Sequence, residues 1–156
     1  GIRVGFFIQL GYLGEQLADL LATRELIAQA VPDDIGVSVS YPLPGTKFYE
    51  QVKTQLGAKT HWQDSGDLAM MFRGAYDSDF YRHVRDLLHE QVTLQQSKAA
   101  ESSAHHSEVA AALDARWDAL IANEHAHRNE DATTLPPATT PANVATARHV
   151  ATAQNR

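Results

Sequence analysis

An α/β fold, made of two parallel βα units followed by a helical C-terminal extension, is what the sequence predicts, and three observations carry it. Apolar residues alternate with period two over "IRVGFFIQL", near the start of the chain. The pattern then turns helical, returns to strand-like alternation in "IGVSVSY" and turns helical again, the order expected of a parallel pair joined by a right-handed crossover. Beyond residue 79, apolar positions keep helical spacing over two further stretches.

The first strand places Ile2, Val4, Phe6, Ile8 and Leu10 on one face and Phe7 on the other, so burial on both sides is expected. Two glycines in "GYLGE" end it. From Glu15 to Val31, Leu17, Leu20, Leu21, Ile27, Ala28 and Val31 fall near one stripe of a helix, and Pro32 with Asp33 and Asp34 stops it. The second strand runs from Ile35 to Tyr41, with Ile35, Val37, Val39 and Tyr41 facing one way. After Pro42-Leu43-Pro44-Gly45, Thr46 is placed to cap a helix carrying Phe48, Val52 and Leu56, with Gly57 at its C-terminal end. "HWQDSGDLAMMFRGAYDSD" has no clear period and reads as an ordered loop or lid. Phe80, Val84, Leu87 and Leu88 mark a helix reaching about Leu94, and Val109, Leu113, Trp117, Leu120 and Ile121 mark an amphipathic one. From Asp131 the Ala/Thr/Pro-rich sequence has too little apolar bulk to fold, and disorder is expected over 131–156.

Composition narrows the function. The chain has 156 residues, 44% of them hydrophobic, enough for a real core, and no apolar run of membrane-spanning length. A net charge of −6 speaks against a nucleic-acid surface, and a cytoplasmic protein is expected. There is no cysteine, which removes disulfides, thiolate catalysis and cysteine-held metal clusters from this chain's own repertoire. Gly1 opens directly inside the first strand pattern without an initiator Met, as expected of a piece of a longer protein.

The two unusual junctions, "QLGYLGE" and "YPLPGT", both lie at carboxyl ends of expected parallel strands, where open α/β sheets and (β/α) barrels place their ligands. Glycines let backbone approach a ligand closely, and a Pro-x-Pro segment holds its carbonyls in fixed directions, an arrangement suited to the edge of a flat heterocycle such as adenine. Either junction alone reads as an ordinary βα turn; the pair points to a ligand.

"GFFIQLGYLGE", followed at helix-plus-strand distance by "IGVSVSYPLPGTKFYE", resembles the C-terminal half of the radical S-adenosylmethionine barrel. Gly11, Gly14 and Glu15 match the Gly-rich, Glu-terminated motif that ends that family's fifth strand. Pro44, Gly45, Thr46 and Tyr49 match the Pro-Gly-Thr-x-x-Tyr turn that often ends its sixth, while Leu13 stands where many relatives have proline. "DLAMMFRGAY" and "FYRHVRDLLHEQV" are similar to the cobalamin-dependent subgroup, whose members include anaerobic oxidative cyclases of porphyrin esters.

The resemblance covers Gly1 to about Val92 and implies a partial (β/α) barrel, its fifth and sixth units in residues 1–60. The loop and helix of an extension follow in 61–95 and the amphipathic helix in 96–130. It further implies S-adenosylmethionine, a four-iron four-sulfur cluster and cobalamin as cofactors, radical modification of a small-molecule substrate, and a tetrapyrrole or lipid-like compound as its kind. The adenine site would be drawn from Ile8, Gln9, Leu10, Gly11, Glu15, Tyr41, Pro42, Leu43 and Pro44. The cysteine triad that would bind the cluster is absent here, so this chain is expected to position a cofactor and to be inactive by itself. The reading from a different class is a non-catalytic α/β module that binds a nucleotide or a protein.

Other candidates are weaker. His105-His106 and His125-x-His127 have spacings that diverge on a helix, so they read as solvated surface histidines rather than metal pairs. Glu15 could serve as a general base or complement a helix dipole, and the resemblance implies a structural or cofactor-orienting role. Met70, Met71 and Phe72 fit a substrate cavity or a core. Arg73 fits a substrate carboxylate or Asp67, and Asp64 and Asp67 read as turn residues.

Overall fold

A computed structural model describes residues 1–59, 61–97 and 103–129. The expected disordered tail, 131–156, lies outside the described residues. Two strands, β1 (Gly5–Leu10) and β2 (Asp34–Val39), pair in parallel, with Phe6 opposite Ile35, Ile8 opposite Val37 and Leu10 opposite Val39. Between them runs α1 (Leu17–Ala30), and after β2 come α2 (Lys47–Val52), a 3-10 turn (Lys53–Gln55) and a kinked 3-10 segment (Trp62–Leu68). The extension is α3 (Ser78–Ser97), α4 (Ser103–Ala122) and a single turn, α5 (Glu124–His127). The α/β class and the parallel pair are therefore as the sequence predicts.

One face of the sheet carries the core. Ile8, Leu10, Ile35 and Val39 pack with Leu20 and Ile27 of α1 and with Phe80, Val84, Leu87 and Leu88 of α3. Helix α3 lies against β2 and α1, and α4 lies on α3 through Leu113, Trp117 and Leu120. Three glutamines of α3 tie down its neighbours: Gln91 donates to the Arg24 carbonyl at 3.1 Å, Gln95 to Ala28 at 3.0 Å and Gln96 to Asp33 at 2.8 Å. The Ala28 carbonyl belongs to the last turn of α1, where it has no partner within its own helix.

Several expectations are corrected. The first strand begins at Gly5, not Ile2; Ile2 and Val4 are exposed. Phe7 is 77% exposed, so the second sheet face is open, because the helices all pack on the other side. The second strand ends at Val39, where Ser40 turns its N–H and hydroxyl back onto Leu10. Helix α1 ends at Ala30, with Val31 in the left-handed region at φ 46°, one residue ahead of Pro32. Helix α3 is longer than its apolar markers suggest, because Asp77 accepts the Phe80 N–H at 2.8 Å and so satisfies an unpaired donor at its start.

Candidate functional site

The carboxyl ends of both strands close on each other. Leu10 presents its carbonyl to two donors of Ser40, the N–H at 2.7 Å and the hydroxyl at 2.9 Å, and Ser40 is buried. Gly11 then takes φ 79°, a conformation open to glycine at no steric cost. A side chain there would also meet Met70, since an added Cβ would lie 3.1 Å from its sulfur. This left-handed step turns the Gly11 N–H inward, where it donates to both Glu15 oxygens at 3.0 and 3.2 Å.

Glu15 is the chemical centre of this junction. It precedes α1 rather than lying in its first turn; Asp19 supplies the acidic group there and accepts the Gln16 N–H at 2.8 Å. The reading of Glu15 as a dipole partner of the helix is thereby corrected. Its side chain, 9% exposed, also accepts the Tyr81 hydroxyl at 2.8 Å. Burial pushes its carboxyl up to about 7, against the opposing pull of the Tyr81 and Gly11 hydrogen bonds. Burial, and then the adjacent Glu15, raise the Tyr81 phenol. A carboxyl poised near neutrality can hold or release a proton without large cost.

Two further layers seal this end. Met70 is held by its N–H to the Ser78 hydroxyl at 2.9 Å and by its carbonyl to Lys59 Nζ at 3.0 Å. Beside Tyr81, the Tyr76 hydroxyl donates to Glu124 at 2.7 Å, and Arg128 bridges Glu124 at 3.0 Å and Gln16 at 2.9 Å. Burial and then Glu124 raise the Tyr76 phenol. The segment around α5 is thus fastened to the start of α1. Sequence reasoning passed over Ser40, Tyr76, Tyr81, Glu124 and Arg128. Tyr81 shares a helical face with Val84 and Leu88, which marks it as core; nothing in spacing marks Glu15, 66 residues earlier, as its partner.

The second junction forms a small cavity. Gly45 sits at φ 85°, and Thr46 caps α2 by accepting the Tyr49 N–H at 3.1 Å, as its position predicts. The Thr46 hydroxyl donates to the Leu43 carbonyl at 2.7 Å, which pins the loop to the helix start. Tyr41, Pro42, Pro44, Tyr49, Lys53 and Met71 line a cavity of about 150 Å³. Val52, Leu56, Met71 and Phe72 form a second apolar cluster beneath it.

The nine residues expected at a ligand site are thus only partly together. Tyr41, Pro42 and Pro44 share the cavity wall, whereas Leu43 is 57% exposed and not part of that wall. Gly11 and Glu15 bond each other. Ile8 and Leu10 turn their side chains into the core, and Gln9, on the open sheet face, accepts from the Tyr12 hydroxyl. Met71 and Phe72 belong to the second cluster, and Met70 touches both. Asp67 pairs with Arg82 and Arg85, and Arg73 donates its N–H to Gln55 at 2.8 Å. Asp64 accepts the His61 N–H at 2.9 Å, a turn role. His127 is no solvated surface group: its ring pairs with Asp77 and is largely covered. Among the described residues no group of three or more His, Asp or Glu side chains gathers as a metal site would require. Nor is any described helix long and apolar enough to cross a membrane.

Comparison of the chain with protein-family models, with curated proteins and with solved structures finds no match.

Proposed function

We propose that the chain is the fifth and sixth βα units of a radical S-adenosylmethionine barrel with a helical extension, and that it contributes the adenine end of the S-adenosylmethionine site. The observation that carries this reading is the cavity at the carboxyl end of β2, walled by Tyr41, Pro42, Pro44 and Tyr49 in the turn that resembles the family's sixth-strand motif. Flat tyrosine and proline walls suit a purine, since every base offers a π-face for stacking. At about 150 Å³ the cavity takes a ring rather than a whole nucleoside cofactor.

The groups around it divide their roles. Leu10 and Gly11 spend their backbone groups on Ser40 and Glu15 and leave contact with the ring to Tyr41, Pro42 and Pro44. Leu43, exposed to solvent, meets whatever covers the site from the open side. Glu15 with Tyr81 orients the Gly11 turn, its carboxyl pushed up to about 7 by burial.

The residues present do not fit the iron–sulfur cluster. Its ligands are thiolates and this chain has no cysteine, so cluster chemistry belongs to residues other than these. The proposed substrate is a small molecule of tetrapyrrole or lipid-like kind, and the proposed compartment is the cytoplasm.

Calorimetry with S-adenosylhomocysteine, which carries the same adenosyl group without the sulfonium, tests the reading. Saturable binding that Tyr41→Ala weakens is expected. No binding heat at millimolar ligand, or equal heat from wild type and variant, would refute it.

A further inference from the structure

A second polar cluster lies away from the strand ends, between α3 and the α4–α5 pair. His127 holds Nδ1 at 3.0 and 3.1 Å from the two Asp77 oxygens, and its backbone carbonyl accepts the Asp77 N–H at 3.0 Å. A carboxylate only accepts, so Nδ1 carries the proton and Nε2 is the nitrogen left to meet a ligand. Asp77 is itself fixed by the Phe80 N–H at the start of α3, and the imidazole packs on Phe80 with ring centres 5.7 Å apart. The ring is therefore held from both sides before any ligand arrives.

This imidazole faces a cavity of about 260 Å³ whose wall also contains His83, Arg116 and Asn123 as polar groups and Leu87, Ala119 and Leu120 as apolar ones. The His83 and His127 rings stand 6.4 Å apart, centre to centre. Arg116 shares one guanidinium nitrogen with Glu90 at the outer edge, and a guanidinium has five N–H donors, so others remain for a second anion. The volume falls just under the range of about 300–1,000 Å³ of pockets for drug-sized ligands, which sets the occupant at roughly one ring.

We infer that this cleft binds a small organic anion, a carboxylate or phosphate monoester, with its anionic oxygens between Arg116 and the His83–His127 pair and its hydrocarbon part on Leu87, Ala119 and Leu120. Asp77 is a positioning residue: it holds the His127 ring through Nδ1 and leaves Nε2 to the ligand. The apolar wall selects an organic anion over a bare inorganic one, because contact with Leu87 and Leu120 adds to binding only when the ligand has carbon to bury. The site does not depend on the adenine reading, since it shares no residue with the cavity at the end of β2.

The test follows the imidazole C–H resonances of the chain by NMR while benzoate, phenyl phosphate or inorganic phosphate is added. Saturable shifts confined to His83 and His127 are expected with benzoate or phenyl phosphate, the tighter of the two identifying the head group. Inorganic phosphate should bind at least tenfold more weakly. Arg116→Gln should weaken the organic anion at least tenfold, and His83→Gln, at an exposed position, should weaken it while leaving the amide spectrum dispersed. Shifts spread evenly over all eight histidines, the same titration in Arg116→Gln, or inorganic phosphate binding as well as phenyl phosphate would each overturn the proposal.

Discussion

Replacing Glu15 with glutamine removes the ionisation of the buried group at the end of β1 while keeping most of its hydrogen bonds. The amide oxygen can still accept the Gly11 N–H, and the amide nitrogen can donate to the Tyr81 oxygen in place of the bond that Glu15 now receives. The magnitude comes from the carboxyl's displacement from 4.5 to about 7 on folding. At about 1.36 kcal/mol per pH unit, that displacement is worth ~3 kcal/mol. The folded-state value is raised, so the folded protein binds the proton more tightly than the unfolded chain. This contribution is fully present below 4.5 and is lost as pH rises through about 7. The wild-type protein should therefore lose up to ~3 kcal/mol of stability across that window, and Glu15→Gln should not.

Urea denaturation, followed by emission from the fully buried Trp117, measures this directly. The two proteins should be close to equal at about pH 4.5, and the variant more stable at about pH 8. Carbon-13 NMR of the glutamate carboxyls should find one titration midpoint near 7 that vanishes in the variant. Glu15→Ala serves as the contrast: it strands the Gly11 N–H and the Tyr81 hydroxyl, and should lie about 1–3 kcal/mol below Glu15→Gln at every pH. Parallel pH profiles for wild type and Glu15→Gln, or every carboxyl titrating in the ordinary range, would refute the reasoning.

Other outcomes follow from the same geometry. Gly11→Ala should cost about 1–3 kcal/mol, because it combines a left-handed φ with an approach to Met70 of 3.1 Å, and the loss is read from the denaturation midpoint. Thr46→Ala should cost about 1 kcal/mol and speed hydrogen exchange at the Tyr49 amide, which loses its acceptor. Anaerobic incubation of the chain with iron and sulfide should yield no cluster absorbance, since no thiolate is present to hold one; a stable brown protein would contradict this.

What the sequence made legible was what depends on near neighbours. Alternation in "GFFIQL" and "IGVSV" fixed the faces of both strands, and Thr46 declared itself as a cap because its partner, Tyr49, lies three residues on. The sequence misled where a second, distant element decides. Phe7 looked buried because β-strand apolar residues usually are, but the helices cover only the opposite face. Glu15 looked like a first-turn helix residue until the left-handed step at Gly11 turned an amide towards it and α3 brought Tyr81 within 2.8 Å. His127 looked solvated because its spacing from His125 diverges on a helix; its partner, Asp77, is 50 residues away. Such pairings depend on where α3 and α5 come to rest, which no periodicity encodes.

The central claim, that the end of β2 is a purine site, is tested most directly by adding adenosine to the nitrogen-15-labelled chain and following backbone amides. The account predicts saturable shifts at Tyr41, Leu43, Gly45 and Tyr49, around the cavity at the end of β2, with the amides of α4 unmoved. Amides around Tyr41–Tyr49 that stay fixed at saturating adenosine, or shifts centred on another part of the molecule, would contradict it.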